Sequence, residues 1–178
     1  RYPHLKIIHN PEFLTAANAE HDFINSDRHV IGGNERIAHG LEKLYEHCFS
    51  DIPVYTMKSS ESEAVKYFAN CFLASKVMIF NEMKILCDNI PNVDYSKIIE
   101  AVIEDSRIGS SHTSVPGPDG EYGFGGTCFP KDINALIHTM EENGIDPLVL
   151  KSVWEQNKKY RLNWDWAENT SAVMSEKA

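Results

Sequence analysis

The first third of the chain alternates short apolar runs with stretches whose apolar residues recur at helical spacing. The apolar runs are residues 6–9, 28–31 and 53–57, and the first two are closed by Asn-Pro and Gly-Gly. Helical spacing is found in residues 13–23 and again after Asn34, which is the expected N-cap. This β-α-β-α-β order predicts a parallel sheet. Since three strands make a small sheet, we interpret the segment as the closing half of a doubly wound domain.

The periodicity changes at Ser59, where a long helix is predicted to begin. Ser60 and Glu63 have the spacing of a capping box, and no Gly or Pro interrupts the stretch that follows until Pro91. At 1.5 Å per residue the helix is about 40 Å long. Its apolar residues are spread over more than one face, which indicates that a second chain packs on it.

Three shorter helices are predicted after Pro91, where the long helix ends. One covers residues 94–104, one starts with Pro130 as its first residue and ends at Asn143 and Gly144, and one runs from Asp146 to about Tyr160. A loop occupies residues 107–126, and its last ten residues hold half of the chain's ten glycines. The polar tail, with its scattered Trp residues, is expected to be loosely ordered.

These elements predict two domains and a tail. Residues 1–57 are the end of a doubly wound α/β domain, residues 58–163 are an all-α domain with one long helix, and residues 164–178 are the tail. Because the chain does not begin with Met and opens directly into a strand, we expect it to be a piece of a longer protein.

Composition excludes several classes of protein. The 178 residues include 17 Lys and Arg against 26 Asp and Glu, a net charge of −9 that disfavours nucleic-acid binding. No apolar run reaches the length needed to span a membrane. The four cysteines lack metal-ligand spacing, and the histidines form no cluster, so no metal site is predicted. Unpaired thiols indicate a reducing, cytoplasmic setting, with Cys48, Cys71 and Cys87 as packing residues.

Cys128 carries the strongest chemical signal. It follows the glycine-rich run Gly-Phe-Gly-Gly and precedes a predicted helix. Glycines allow a backbone to approach a ligand closely, and a helix N-terminus favours an anion. Together with the positive charge of Lys131, this setting is expected to lower the pKa of the thiol and make it nucleophilic. The alternative is a buried cysteine at a helix start, with Asp132 merely favouring the first turn.

Two further candidates lie upstream. Lys66 and Asn70 are four residues apart on the long helix and share a face, so a cation and an amide donor are available to one oxyanion. The alternative interpretation is that Lys66 and Asn70 are solvated side chains on the protein surface. Glu12 follows the first predicted strand, at the end where open α/β sheets bind ligands, and could serve as a general base. Its alternative is a helix-capping role.

The sequence resembles the UDP-glucose/GDP-mannose dehydrogenase family. The resemblance rests on Gly-Phe-Gly-Gly-Thr-Cys-Phe-Pro-Lys-Asp at residues 123–132, on the helix with Lys66 and Asn70, and on Asn-Pro-Glu-Phe-Leu at residues 10–14. It covers residues 5–157 and is greatest for the branch that acts on UDP-glucose. The resemblance implies that residues 1–57 close an NAD-binding domain and that the helical domain forms a homodimer.

The resemblance also implies a reaction and a role for each residue. Members oxidise the primary alcohol of a nucleotide sugar to a carboxylate with two NAD, through a thiohemiacetal and a thioester on the residue that matches Cys128. Lys66 and Asn70 would hold the oxyanion, Asp132 would orient water or assist proton transfer, and Glu12 would act as base in thioester hydrolysis. Lys131 would approach the cofactor. The implied substrate-binding residues are Phe13, Leu14, Phe124, Gly125 and Gly126, with Arg107 lent across the dimer.

Departures from the family pattern leave alternatives open. Ala16 stands where many members have a second acid, the loop of residues 110–122 is longer than in many members, and the chain has no G-x-G-x-x-G motif. The chain alone is therefore expected to lack dehydrogenase activity. One alternative is a cysteine-dependent acyl transferase or hydrolase with His112 as base, and the other is a non-catalytic dimerisation module.

Overall fold

The computed structural model describes residues 5–15 and 18–168 of the chain, in two compact units that divide between Phe68 and Ala69. The first unit contains helix α1 (Ala19–Ile24), strand β1 (His29–Gly32), helix α2 (Glu35–Cys48) and strand β2 (Val54–Met57). Helix α3 (Ser59–Asp88) begins in the first unit and continues in the second.

The two strands form a parallel sheet, as the alternating pattern predicts. Val30 of β1 lies opposite Tyr55 of β2, and α2 makes the crossover between the strands. The Asn34 side chain accepts a hydrogen bond from the Arg36 N–H, which confirms the expected N-cap of α2. All four residues of β1 are buried. The core of this unit consists of Ile31, Ala38 and Tyr45.

The predicted strand at residues 6–9 is wrong. In this segment only His9 pairs with a strand, through an isolated antiparallel bridge to Gly32. Side chains hold the segment in place of a ladder: Asn10 donates to the Val30 carbonyl at 2.7 Å, and its own amide oxygen accepts from the Tyr45 hydroxyl at 2.6 Å. These bonds fix the path of the chain without a third strand.

The predicted helix at residues 13–23 is shorter than expected. Helix α1 covers its second half, and residues 13–15 are irregular, whereas residues 16 and 17 lie outside the described residues. Thr15 donates from its backbone and its hydroxyl to Asp22, at 2.8 and 2.6 Å. Because these donors are already occupied by a side chain, the backbone at Thr15 departs from the helical pattern that its apolar neighbours suggest.

Helix α3 has 30 residues, close to the predicted length. The capping box predicted from Ser60 and Glu63 is wrong, since both residues lie inside the helix. The helix begins at Ser59, and the cap lies two residues earlier than predicted, where the Glu61 carboxylate accepts the Lys58 backbone N–H at 2.8 Å. Glu61 therefore occupies the acidic position of a capping box whose first position is held by Lys58 rather than Ser.

The second unit is helical. After α3 it contains α4 (Tyr95–Ile103), α5 (Cys128–Glu142), α6 (Leu148–Tyr160) and a 3₁₀ helix (Asp165–Glu168), and α5 packs against α6. Its main core is formed by Cys71, Ala74, Met78, Phe124, Ile133, Trp154 and Trp166. A small sheet followed by a helical unit with one long helix confirms the predicted fold class.

Three expectations about the second half need correction. Helix α5 begins at Cys128, two residues before Pro130, and Pro147 is the N-cap of α6 rather than a residue inside it. The start of the tail is packed, because Trp166 is 2% exposed and belongs to the core. Residues 169–178 lie outside the described residues. The domain boundaries at residues 57 and 163 stay predictions.

Candidate active site

Glu12 and Lys66 are paired in the first unit. The Lys66 ammonium donates to the Glu12 carboxylate at 2.8 Å and also contacts the Glu12 carbonyl oxygen. The other carboxylate oxygen of Glu12 accepts the Leu14 backbone N–H at 2.8 Å. Glu12 is exposed, whereas the Lys66 side chain is 18% exposed. The structure thus joins a candidate base and a candidate oxyanion donor that are 54 residues apart in sequence.

The residues that follow Glu12 are half-buried. The Arg28 guanidinium lies over the Phe13 ring at 4.3 Å, and the Lys66 ammonium is 5.6 Å from the same ring. Two cations on one aromatic ring form cation–π contacts. Sequence reasoning missed Arg28, which it assigned only to a strand.

Asn70 and Asp132 form the corresponding pair in the second unit. The Asn70 amide donates to the Asp132 carboxylate at 2.6 Å, and both side chains are buried. Lys131 contacts the other oxygen of that carboxylate with its ammonium. Asp132 is 1% exposed, so its charge is compensated by one amide and one cation rather than by water. This burial exceeds what a first-turn acid needs for helix capping.

Asp132 also acts on the buried thiol beside Asn70. Burial raises the pKa of Cys71 to about 12, and the Asp132 charge contributes in the same direction. Cys71 therefore stays a protonated core thiol. Cys71 and Cys87 are buried as predicted, whereas Cys48 is exposed, so the prediction of a packing role is wrong for Cys48.

Cys128 is the first residue of α5 and is exposed. The Thr127 side chain makes no capping hydrogen bond within the described residues. The N–H groups of the first helical turn therefore depend on other partners. An exposed thiol at this position is accessible to an electrophile, and Asp132 follows it by one turn of the same helix.

The glycine loop before Cys128 is held by side chains that sequence reasoning did not single out. The Gly123 N–H donates to Asn81 at 2.9 Å, and the Gly126 N–H donates to Asp165 at 2.9 Å. Phe124 has its ring in the core and its backbone bonded to Asn157. The Phe124 ring is thus packed against Phe129 and Trp154 rather than presented at the surface.

Arg107 lies on an exposed turn after α4. Its side chain is 87% exposed, and its guanidinium pairs with Asp105 with an N–O distance of 2.5 Å. The next two residues are held by Lys76 of α3, whose buried ammonium donates to the carbonyls of Ile108 and Gly109 at 2.8 and 3.1 Å. Burial lowers the pKa of Lys76. The turn is therefore fixed while the Arg107 head group faces solvent.

His112 lies in the same loop region. Its ring centroid is 5.6 Å from that of Phe129, the neighbour of Cys128. Burial lowers the pKa of His112, and the nearby positive charge of Lys76 lowers it further. A neutral imidazole is the form that could accept a proton.

The described residues offer neither a cluster of metal ligands nor a membrane-spanning helix. Within residues 5–15 and 18–168, no group of three His, Cys, Asp or Glu side chains could hold a metal ion. No helix of the described part of the chain is both long and apolar enough to cross a bilayer.

The chain belongs to the UDP-glucose/GDP-mannose dehydrogenase family. Residues 60–159 match the model of the family's central domain, and residues 2–49 match the model of its NAD-binding domain. The two matches agree with a helical segment that follows a small parallel sheet, and they confirm the resemblance inferred from the motifs.

Similar proteins include UDP-glucose 6-dehydrogenases of bacteria. TuaD of Bacillus subtilis is 35% identical over 158 residues, which are 88% of this chain and 32% of TuaD. The Rickettsia prowazekii protein is 39% identical over 151 residues, 84% of this chain and 33% of that protein. The structure of a UDP-glucose dehydrogenase from Pyrobaculum islandicum matches with a TM-score of 0.76 at 39% identity, covering 86% of this chain and 34% of that one. The chain thus spans about a third of the length of these relatives.

Proposed function

We propose that this chain is the part of an NAD-dependent nucleotide-sugar dehydrogenase that supplies the nucleophilic thiol, and that the complete protein oxidises UDP-glucose to UDP-glucuronate. The observation that carries the proposal is the exposed Cys128 in the first turn of α5, one turn before a buried Asp132 that is bonded to Asn70. Relatives named UDP-glucose 6-dehydrogenase, at 35 and 39% identity, support the choice of sugar nucleotide.

In the proposed reaction, Cys128 forms a covalent bond to the sugar. The primary alcohol first loses a hydride and a proton and becomes an aldehyde. The Cys128 thiolate attacks the aldehyde carbon, the carbonyl oxygen takes the electron pair and then a proton, and a thiohemiacetal results. Oxidation of that carbon leaves a thioester, which water hydrolyses to the carboxylate and the free thiol. Asn70 would donate to the developing oxyanion, and Asp132 would orient water or accept a proton.

Lys66 and Glu12, the pair in the first unit, are proposed to act in the same reaction. Lys66 would donate to the oxyanion, and Glu12 would act as base when the thioester is hydrolysed. In the structure Lys66 is bonded to Glu12, so each would exchange its present partner for substrate or water. Because the two side chains neutralise each other while unbound, substrate binding would separate a base from its counter-ion.

Binding roles are proposed for the remaining residues. Lys131 would approach the cofactor, and Arg107 would reach the partner of a homodimer from its exposed turn. The other proposed substrate contacts are Phe13, Leu14, Phe124, Gly125 and Gly126. In this structure the Phe124 ring is buried and its backbone N–H and carbonyl are bonded to Asn157, so a contact with substrate would have to share or replace these bonds. Gly125 offers its backbone on the side that the Arg161 guanidinium does not cover.

NAD would supply the hydride acceptor for both oxidations. The model of the family's NAD-binding domain matches only residues 2–49, and the 178 residues contain no G-x-G-x-x-G motif, so this chain alone does not fit the cofactor. We therefore expect no NAD reduction by the isolated chain.

The test is turnover by the complete open reading frame that encodes these residues, with NAD and a panel of nucleotide sugars. We expect two NADH for each UDP-glucose, with turnover abolished in Cys128→Ser and unchanged within twofold in Cys48→Ser. Both thiols are exposed, so the pair separates a catalytic role from general thiol chemistry. Full turnover by Cys128→Ser would exclude a catalytic role for this thiol and favour a non-catalytic dimerisation role for this chain. The absence of NADH with every sugar would exclude a dehydrogenase activity of the complete protein.

One observation favours a second candidate, a cysteine-dependent acyl transferase or hydrolase. His112 lies beside Phe129, the residue after Cys128, and its lowered pKa keeps the imidazole neutral and able to accept a proton. Acylation of Cys128 by a thioester substrate, abolished in His112→Gln and indifferent to nucleotide sugars, would establish this activity instead.

A further inference from the structure

The backbone of residues 123–126 is held in place by side chains of three other segments. Asn157, near the end of α6, is fully buried and bonds Phe124 twice: its oxygen accepts the Phe124 N–H at 2.8 Å, and its amide donates to the Phe124 carbonyl at 3.0 Å. Asn81 of α3 holds Gly123 and Asp165 holds Gly126, each at 2.9 Å. Three of the four N–H groups in this run are therefore bonded to side chains.

The glycines of the run fit these side chains. A Cβ on Gly123 would lie 2.3 Å from the Asn157 oxygen, and a Cβ on Gly125 would lie 2.2 Å from the Arg161 guanidinium. Real Cβ atoms do not approach other atoms so closely, so a side chain at residue 123 would displace the buried Asn157 of α6, and one at residue 125 would displace the guanidinium of Arg161, which follows α6. Gly126, by contrast, has open space where a Cβ would be. Within the run as described, Gly126 is thus the glycine that leaves room for a ligand.

Arg161 extends the same arrangement. Its buried guanidinium pairs with Asp119 at 2.7 Å and with Asp165 at 3.3 Å. Asp119 in turn accepts the Glu121 N–H within the preceding turn. The end of α6 therefore fixes both the turn at residues 117–121 and the glycine run that follows it.

This arrangement bears directly on the nucleophile. Only Thr127 separates Gly126 from Cys128, and the first helical bond of α5 runs from the Lys131 N–H to the Thr127 carbonyl. Since the Thr127 side chain does not cap the helix within the described residues, the position of the first turn depends on the loop that leads into it.

We propose that Asn157 is a positioning residue for Cys128: by holding the backbone of Phe124 it fixes residues 123–126 and thereby the first turn of α5. Asp165 makes a smaller contribution through Gly126. The inference rests on the proposed function for its catalytic meaning, but the positioning itself concerns atoms of this chain alone and is measurable without substrate.

The test compares Asn157→Ala with Tyr95→Phe in the 178-residue chain. Tyr95→Phe is the matched control because it also removes a buried side-chain bond to a backbone carbonyl, that of Thr113, in a separate core cluster of the same unit. Two quantities are measured: hydrogen exchange of the loop amides, and the iodoacetamide alkylation rate of each cysteine by mass spectrometry. Cys48 is the exposed reference thiol, and the buried Cys71 and Cys87 report folding.

In Asn157→Ala we expect exchange at the Phe124 amide to rise at least tenfold and alkylation of Cys128, relative to Cys48, to slow at least threefold. The rate falls because fraying of the first turn removes N–H groups that stabilise an anion, while Cys128 is already exposed and gains little access. Tyr95→Phe should change neither quantity by more than 1.5-fold. An unchanged Cys128 rate in a folded Asn157→Ala chain, or an equal loss in Tyr95→Phe, overturns the proposal.

Labelling of Cys71 and Cys87 in Asn157→Ala would show that this variant does not fold. In that case the Asp165→Ala variant tests whether the loop positions Cys128. Asp165 is only half-buried, and its loss should speed exchange at the Gly126 amide and slow Cys128 alkylation at least twofold. In the complete open reading frame, Asn157→Ala should lower kcat at least tenfold with KM within threefold. Absence of turnover in the wild-type protein would contradict the proposed function, whereas the exchange and alkylation results decide the positioning role independently.

Discussion

His29 is a buried titratable group with no charged partner among the described residues. It is 5% exposed, its ring stacks on Tyr45 with centroids 4.3 Å apart, and Phe23 and Phe49 lie beside it. Its Nε2 has no hydrogen-bond partner in the part of the chain that the structure describes. Burial lowers the pKa of His29 below its ordinary value of 6.5, because the charged form would lose its hydration.

The first prediction follows from this lowered pKa. The unfolded chain binds a proton at His29 more readily than the folded chain, so the stability due to a neutral His29 is present above about pH 6.5 and is lost as the pH falls below it. We expect His29→Phe to reduce the loss of unfolding free energy between pH 7.5 and 5.5, measured by urea denaturation. The exposed His39→Phe is the control and should keep the wild-type pH profile; identical profiles for both variants would contradict the prediction.

At the residue scale, the sequence indicated the kind of chemistry but not the partners. Motif and spacing propose Cys128, Lys66, Asn70, Asp132 and Glu12 as candidate site residues, and these roles stay predictions. The bonds from Lys66 to Glu12 and from Asn70 to Asp132 join residues 54 and 62 positions apart. Such contacts depend on tertiary packing, of two helices for Asn70 and Asp132 and of a helix against an irregular segment for Lys66 and Glu12. No local pattern marks them.

The same limit applies to the residues that hold the glycine loop. Asn157 and Arg161 lie in and just after a helix that reads as amphipathic, where polar residues are normally solvated. Their burial was the informative feature, and burial of a polar side chain follows from tertiary packing.

At the scale of elements, glycine has opposite effects at two helical positions. Gly40 lies inside α2, and Gly144 follows α5 with a φ of +73°. A Cβ at either position would meet no atom within 4 Å. The two sites therefore differ in backbone conformation alone, since α-helical φ suits any residue and left-handed φ favours glycine.

The second prediction uses this contrast. Gly40→Ala should stabilise the chain by about 0.5–1 kcal/mol, because alanine loses less conformational entropy in a helix. Gly144→Ala should destabilise it by about 1 kcal/mol, because alanine is strained at positive φ. Urea denaturation monitored by circular dichroism measures both. A loss of stability in Gly40→Ala would show that α2 does not behave as a simple exposed helix at this position.

Elements with strong periodicity were predictable, and elements fixed by side-chain bonds were not. The length of α3 follows from apolar spacing and the absence of glycine and proline, whereas α2 follows from apolar spacing alone and continues through Gly40. The strand expected at residues 6–9 is reduced to one backbone bridge between His9 and Gly32, and side-chain bonds of His9 and Asn10 hold the segment beside it. The start of α3 at Ser59 agrees with the change of periodicity, whereas the predicted cap does not form, because Glu61 rather than Glu63 accepts a backbone N–H, that of Lys58.

At the scale of the whole molecule, α3 carries an apolar stripe that faces solvent. The exposed members recur at helical spacing along one helix: Phe68, Phe72, Ile79, Met83 and Leu86. Contiguous apolar residues on a helix surface mark an interaction site more often than solvated surface. A second copy of the chain is the occupant that the sequence predicts, and a homodimer through the helical domain stays a proposal.

The last prediction tests that proposal at the centre of the stripe. Phe72 is 69% exposed, and replacing it with glutamate would bury a charge in any interface that covers it. We expect the wild-type chain to sediment as a dimer at micromolar concentration and Phe72→Glu to raise the dimer dissociation constant at least 100-fold, which corresponds to about 2.7 kcal/mol. Leu44→Glu is the matched control, since Leu44 is an exposed apolar residue on α2, and its dissociation constant should stay within threefold of wild type. A monomeric wild-type chain, or a Phe72→Glu dimer of unchanged affinity, would contradict the proposal that a second copy of the chain covers this stripe.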